Sequence, residues 1–185
     1  MNGAVQTSSS TEGATQHSPG RQPWVFCMQC VHFHRECVTM GILLNMKIQE
    51  LETYTQSQFE ELKQLMTELS DRVSFSEHKL DDVLADSNCH LYVVMDNGHI
   101  IGCATLCVFH SPTGTKASIE DVVVSSAYRG QHLGKQLMEH VLEASKTFAP
   151  IELHLTSNPK RTVANILYQS LGFERKETNC YRMMK

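Results

Sequence analysis

Between Gln56 and Leu69 the apolar residues Phe59, Leu62, Leu65, Met66 and Leu69 return at helical spacing, which predicts an amphipathic helix with one buried stripe. A shorter helix is expected over 75–84, and a short strand over 47–51. The pattern then changes to apolar β-runs at 90–95 and 99–109, joined at Asp96-Asn97-Gly98, a strong hairpin signal. Ser111-Pro112-Thr113-Gly114 reads as a turn and 117–124 as the next strand. From Gly134 to Phe148 the residues Leu137, Met138, Val141, Leu142 and Ala144 share one helix face, and Pro150 closes that element. A strand follows at 151–156, a helix at 163–171 ended by Gly172, and a last strand at 181–184. The order β-α-α-β-β-β-α-β-α-β belongs to the α/β (α+β) class, a mixed sheet covered by helices. No internal repeat is visible.

The N-terminal part breaks this regularity. Residues 1–23 are Ser, Thr, Gln and Gly-rich and nearly free of large apolar side chains, and are expected to be disordered. Cys27, Cys30, His32, His34 and Cys37 then place five potential ligands within eleven residues. A small zinc site is one reading; no second pair at the usual distance and no turn glycine support it. The favoured reading is an accessory extension over 1–45, joined to a domain spanning 46–185.

Composition narrows the function classes. The 185-residue length fits one domain, and 41% hydrophobic residues, 19% charged residues and a formal charge of −4 are ordinary for a soluble protein. That charge gives no footprint for nucleic acid, no apolar run is long enough for a bilayer, and the start of the chain does not resemble a secretory signal. The seven cysteines are odd in number; Cys89, Cys103, Cys107 and Cys180 are irregularly spaced and read as free thiols of a reducing cytoplasm.

The stretch with most chemistry is Ile119-Glu-Asp-Val-Val-Val-Ser-Ser-Ala-Tyr-Arg-Gly-Gln-His-Leu-Gly-Lys135. It runs from an apolar strand through a basic, Gly-containing elbow into a helix. Unpaired N–H groups and the positive dipole end make such an elbow an anion site. Glu120 and Asp121, just ahead of it, suggest a catalytic rather than a structural anion site.

Val124-x-x-x-Tyr128-Arg129-Gly130-x-x-Leu133-Gly134, followed by Leu167-Tyr168-x-x-x-Gly172-Phe173, resembles the GNAT superfamily of acetyl-coenzyme A-dependent N-acetyltransferases over residues 46–185. The resemblance implies the GNAT fold, with six to seven strands and about four helices. It implies that Arg129, Gly130, Gln131, His132, Leu133, Gly134 and Lys135 wrap the coenzyme A pyrophosphate. It also implies a bulged strand, with Val122 N–H on the thioester carbonyl and Val124 N–H on pantetheine. Asn165 would reach pantetheine, and Tyr168 would protonate or stabilise the leaving thiolate. His132 stands where many relatives have glycine, tolerable if its backbone is already helical. The Glu120-Asp121 strand has some resemblance to glucosamine-6-phosphate N-acetyltransferases; the segment after Thr156 departs from them.

Amine deprotonation requires a base, and Glu120, Asp121 and His154 are the candidates. Alternation along a strand favours Glu120, which would share a face with Val122 and Val124. Lys160 and Arg161 are candidates for coenzyme A phosphates or an anionic acceptor, with Ser157 and Asn158 as helix caps. The expected reaction is direct acetyl transfer from acetyl-CoA to a primary amine of a small molecule, with no metal. A protein amine as acceptor, or a non-catalytic coenzyme A-binding module, remain alternatives. The family resemblance also makes a homodimer an expectation.

Overall fold

The computed structural model describes residues 46–70 and 72–185, so the readings made for residues 1–45 lie outside the described residues. Five strands form one sheet in the order β1 (Met46–Glu50), β2 (Cys89–Asp96), β3 (His99–Ser111), β4 (Gly114–Val124) and β5 (Ile151–Leu155). The first four run antiparallel to their neighbours, while β5 lies parallel to β4. Helix α1 (Gln56–Leu69) and helix α2 (Glu77–Ala85) precede β2, α3 (Leu133–Ser145) links β4 to β5, and α4 (Thr162–Ser170) follows β5. The mixed α/β class is as expected, with five strands among the described residues where six to seven were expected. Residues 181–184 form no strand. Tyr181, Met183 and Met184 are exposed, so nothing buries an apolar face there and pairing has no packing to support it.

Local chemistry sets the element ends. Thr55 and Gln58 form a reciprocal capping box, with Gln58 N–H donating to Thr55 Oγ1 at 3.3 Å and Thr55 N–H to Gln58 Oε1 at 2.9 Å. Asn97 and Gly98 both have positive φ, 49° and 88°, the turn that the Asn-Gly pair demands for a tight hairpin. Glu61 then ties α1 to that hairpin: Oε2 accepts Ile100 N–H at 2.8 Å, and Oε1 lies 2.7 Å from His99 Nδ1.

The sheet carries a core on each face. On one, Phe59, Leu62, Leu65 and Met66 of α1 and Leu80 of α2 pack on Leu91, Val93, Cys103 and Val123. On the other, Leu133, Leu137, Met138 and Val141 of α3 pack on Val94, Leu106, Ala117 and Ile119. The predicted helix faces are therefore the buried ones. Leu62 is wholly buried against the sheet. Leu62→Ala is expected to lower the unfolding free energy by about 3 kcal/mol in urea denaturation, and a loss under about 1 kcal/mol would contradict this packing.

Candidate active site

Strand β4 pairs with β5 from Thr115/Ile151 to Ile119/Leu155 and no further. Beyond that point the strands separate, and a cleft of about 940 Å³ opens between them. Its walls are Ile119–Val122 of β4, residues 155–158 after β5, the C-terminal end of α1, and Arg161, Tyr168 and Arg182.

The same part of β4 contains an irregularity. Cys103 pairs with Val123 and Thr105 with Glu120, so Asp121 and Val122 together stand opposite Ala104. This is a β-bulge, and Asp121 takes the left-handed φ of 53° that the extra residue requires. Gly102 sits alongside; a Cβ there would lie 3.0 Å from Val123 O and 3.2 Å from Val124 Cγ2, so the close approach of β3 uses glycine. Ser125 N–H donates to Ile101 O at 2.8 Å. By antiparallel alternation Gly102/Val124 is then a non-hydrogen-bonded pair, and Val124 N–H faces away from β3, where β5 has departed. The two-residue period puts Val122 N–H on the same edge.

The bulge corrects one expectation. Glu120 pairs with Thr105 on the α1 face of the sheet, as does Val123 with Cys103, whereas Val122 and Val124 pack on the α3 side. One inserted residue inverts the alternation, so Glu120 does not share a face with Val122 and Val124. Both acids nonetheless border the cleft. Ser118 Oγ donates to Glu120 Oε1. The Asp121 carboxyl is pushed above the usual Asp value by desolvation and then by the neighbouring charge of Glu120; the residue keeps a solvent-exposed surface, which moderates that shift. His154 pairs across from Ser118 on β5, with Nε2 3.5 Å from Glu152 Oε2, and is not part of the cleft wall.

After β4 the chain makes a short 3₁₀ turn, Ser126–Tyr128, before α3 begins. Gly130 has φ 79° and His132 φ 60°. His132 is thus left-handed rather than already helical, and acts as the residue preceding α3 without a side-chain cap. Alternating handedness turns successive N–H groups toward one side, and the first turn of α3 adds unpaired N–H groups of its own. A Cβ built on Gly130 would meet nothing within 4 Å, so its positive φ rather than crowding favours glycine there. Three hydrogen bonds brace the loop. Tyr128 Oη donates to Asp96 at 3.0 Å, while Glu68 accepts Ser126 N–H at 2.8 Å and Arg129 Nη2 at 3.3 Å. Lys135 pairs with Glu139 along α3 at 3.6 Å.

On the opposite wall, Tyr168 is half-buried, edge-on to Phe173 with ring centroids 6.2 Å apart. Burial raises its pKa, with Arg161 pulling the other way. Arg161 Nη2 donates to Leu69 O at the end of α1. Asn165 spends its amide on Asn158 O at 3.0 Å and braces the start of α4 rather than facing the cleft. Neither Ser157 nor Asn158 caps α4, whose N-cap position is Arg161. Ser157 instead lines the cleft, with its Oγ buried and without a hydrogen-bond partner among the described residues.

A sequence model of the acetyltransferase (GNAT) family matches residues 50–173. The chain belongs to that family. Solved structures agree on the fold. An aminoglycoside acetyltransferase from an uncultured soil metagenomic sample, in complex with trehalose, superposes with a TM-score of 0.65 at 21% identity, covering 76% of this chain and 97% of that one. Glucosamine-6-phosphate N-acetyltransferase from Arabidopsis thaliana gives 0.61 at 19% identity, over 76% and 99%. An aminoglycoside N-acetyltransferase in complex with CoA gives 0.61 at 20% identity, over 76% and 95%.

Among the wall residues, Glu68 and Arg182 escaped sequence reasoning, and Ser157 was read only as a helix cap. Glu68 did leave a signal, since a carboxylate in the last turn of a helix opposes the macrodipole and calls for a partner elsewhere. The left-handed His132 yields a test. His132→Gly is expected to raise the unfolding free energy by up to about 1 kcal/mol, by removing the Cβ penalty of that conformation. A comparable loss of stability would contradict the loop geometry.

Proposed function

We propose that the chain is an acetyl-CoA-dependent N-acetyltransferase, the domain lying within residues 46–185, acting on a primary amine of a small molecule by direct transfer in a ternary complex. One observation carries the reading: the bulged, splayed edge of β4 at Val122 borders the same cleft as Glu120, Asp121 and Tyr168. Membership of the GNAT family supports acyl transfer, and the aminoglycoside and glucosamine-phosphate enzymes of similar fold support a small amine as acceptor.

The residues fit acetyl-CoA. N–H groups from Gly130 to Gly134, with Arg129 and Lys135 beside them, suit its pyrophosphate. Val124 N–H, on the edge that β5 has left, suits the amide-bearing pantetheine arm. When bound, it supplies a thioester already activated toward an amine. Val122 N–H stabilises negative charge growing on the carbonyl oxygen, worth a few kcal/mol for a preorganised donor. Glu120, held by Ser118, pairs with the incoming ammonium, and Asp121 takes its proton. As the new C–N bond forms and the C–S bond breaks, Tyr168 donates its hydroxyl proton to the sulfur and recovers one from the new amide nitrogen. Holding both substrates in one cleft removes the need for a covalent enzyme intermediate.

Thiol release from acetyl-CoA over a panel of amino sugars, with and without phosphate, and simple alkylamines tests the reading. Release on at least one amine is expected; tight acetyl-CoA binding with none would favour a non-catalytic module. With a reactive amine, Asp121 must be ionised to accept the proton, so kcat/KM falls as pH drops through a pKa above the ordinary Asp value. Asp121→Asn should lose that limb and about 10²-fold in rate. Tyr168→Phe should lower kcat more than coenzyme A affinity, and an unchanged kcat with chemistry rate-limiting would remove Tyr168 from the mechanism.

A further inference from the structure

Away from the cleft wall, Cys89 at the start of β2 and Cys107 near the end of β3 stand directly opposite each other. Their sulfurs are 3.7 Å apart, and Cys89 also lies 3.7 Å from Asp86 Oδ2. Val108 N–H donates to Asn88 O at 2.8 Å, making Asn88/Val108 the hydrogen-bonded pair; Cys89/Cys107 is therefore the adjacent non-hydrogen-bonded pair. In such pairs the Cα atoms approach to about 4.5 Å and the side chains lean together, inside the span of about 4.4–6.8 Å that a disulfide bridges. Both thiols are partly exposed, and Phe109, two residues on from Cys107, is 45% exposed.

We propose that Cys89 and Cys107 form a reversible dithiol–disulfide couple, oxidised by peroxides. One thiolate attacks a peroxide oxygen, the O–O bond breaks, and the sulfur becomes a sulfenic acid as alcohol or water leaves. The second thiol then displaces that oxygen as water, forming the S–S bond. Two thiols lose two electrons and two protons, and the peroxide takes up both. The bond closes the far end of the β2–β3 hairpin at Cys107, the residue across from Ser118, which holds Glu120.

Burial raises both thiols, Cys107 to about 12 with Cys89, Glu120 and Asp121 adding to the effect, while at Cys89 the contact with Cys107 offsets part of the rise and Asp86 adds to it. Little thiolate exists at neutral pH, so the couple responds to sustained oxidation rather than to brief contact. Two other thiols among the described residues provide internal controls: Cys103 is wholly buried beside the Asp121 carbonyl, and Cys180 is exposed with no cysteine partner among the described residues.

The test is prolonged exposure of the reduced full-length protein to hydrogen peroxide, blocking of remaining thiols, and peptide mapping. Peptides bearing Cys89 and Cys107 should be joined, short of two hydrogens, and released by dithiothreitol. The thermal midpoint should rise by roughly 5–10 °C for a hairpin-sized loop. Cys89→Ser and Cys107→Ser should each lose both effects, while Cys180→Ser keeps them. Mapping of the unsubstituted protein decides even where a variant folds poorly: Cys89 and Cys107 recovered as separate thiols or sulfonic acids, or joined only to other cysteines, would overturn the proposal.

Discussion

β4 carries one residue more than β3 between the pairs Cys103/Val123 and Thr105/Glu120, and it loses β5 as a neighbour at the same point. Most of the site depends on that coincidence. A regular strand with partners on both edges would spend every N–H in the ladder and leave no donors for a substrate. The bulge turns the strand, the splay exposes its edge, and the chain exits β4 at the angle that leads into the loop before α3. The cost is visible in the left-handed Asp121 and in Gly102, where a side chain would press on Val123 and Val124. Two packed cores, one on each face of the sheet, hold that geometry in place.

The electrostatics are organised by the C-terminal end of α1. Its carbonyls and Glu68 are negative, and they gather Arg129 from the β4–α3 loop and Arg161 from the start of α4. The two segments flanking the cleft are thereby tied to one helix end. Opposite stand Glu120 and Asp121, adjacent like charges, one steadied by Ser118 and the other partly withdrawn from water. Two carboxylates in unlike surroundings suit unlike tasks, pairing with an ammonium and taking up its proton.

Much of this was legible in the sequence, because much of it is local. The stripe from Phe59 to Leu69 is the buried face of α1, and Asn97-Gly98 is the hairpin turn. The run from Val124 to Gly134, with Tyr168 some thirty residues later, announced the family. What was not legible was non-local. A single inserted residue at 121–122 inverts strand parity, and alternation alone placed Glu120 on the wrong face. His132 is left-handed in a loop braced by Asp96 and Glu68, far away in sequence. Residues 181–184 have strand-like chemistry and no surface to bury it. Ser157 looked like a helix cap, and only the departure of β5 from β4 shows that it faces the cleft.

The central claim is that backbone N–H groups on the splayed edge of β4 and at the start of α3 are the coenzyme A-binding surface. Amide chemical shifts of isotope-labelled protein during titration with acetyl-CoA test it most directly. The largest changes are expected at Val122, Val124, Gly130, Leu133 and Gly134, with Ser157 moving alongside them. Saturable binding that leaves those amides unmoved and shifts residues elsewhere on the sheet would contradict the account.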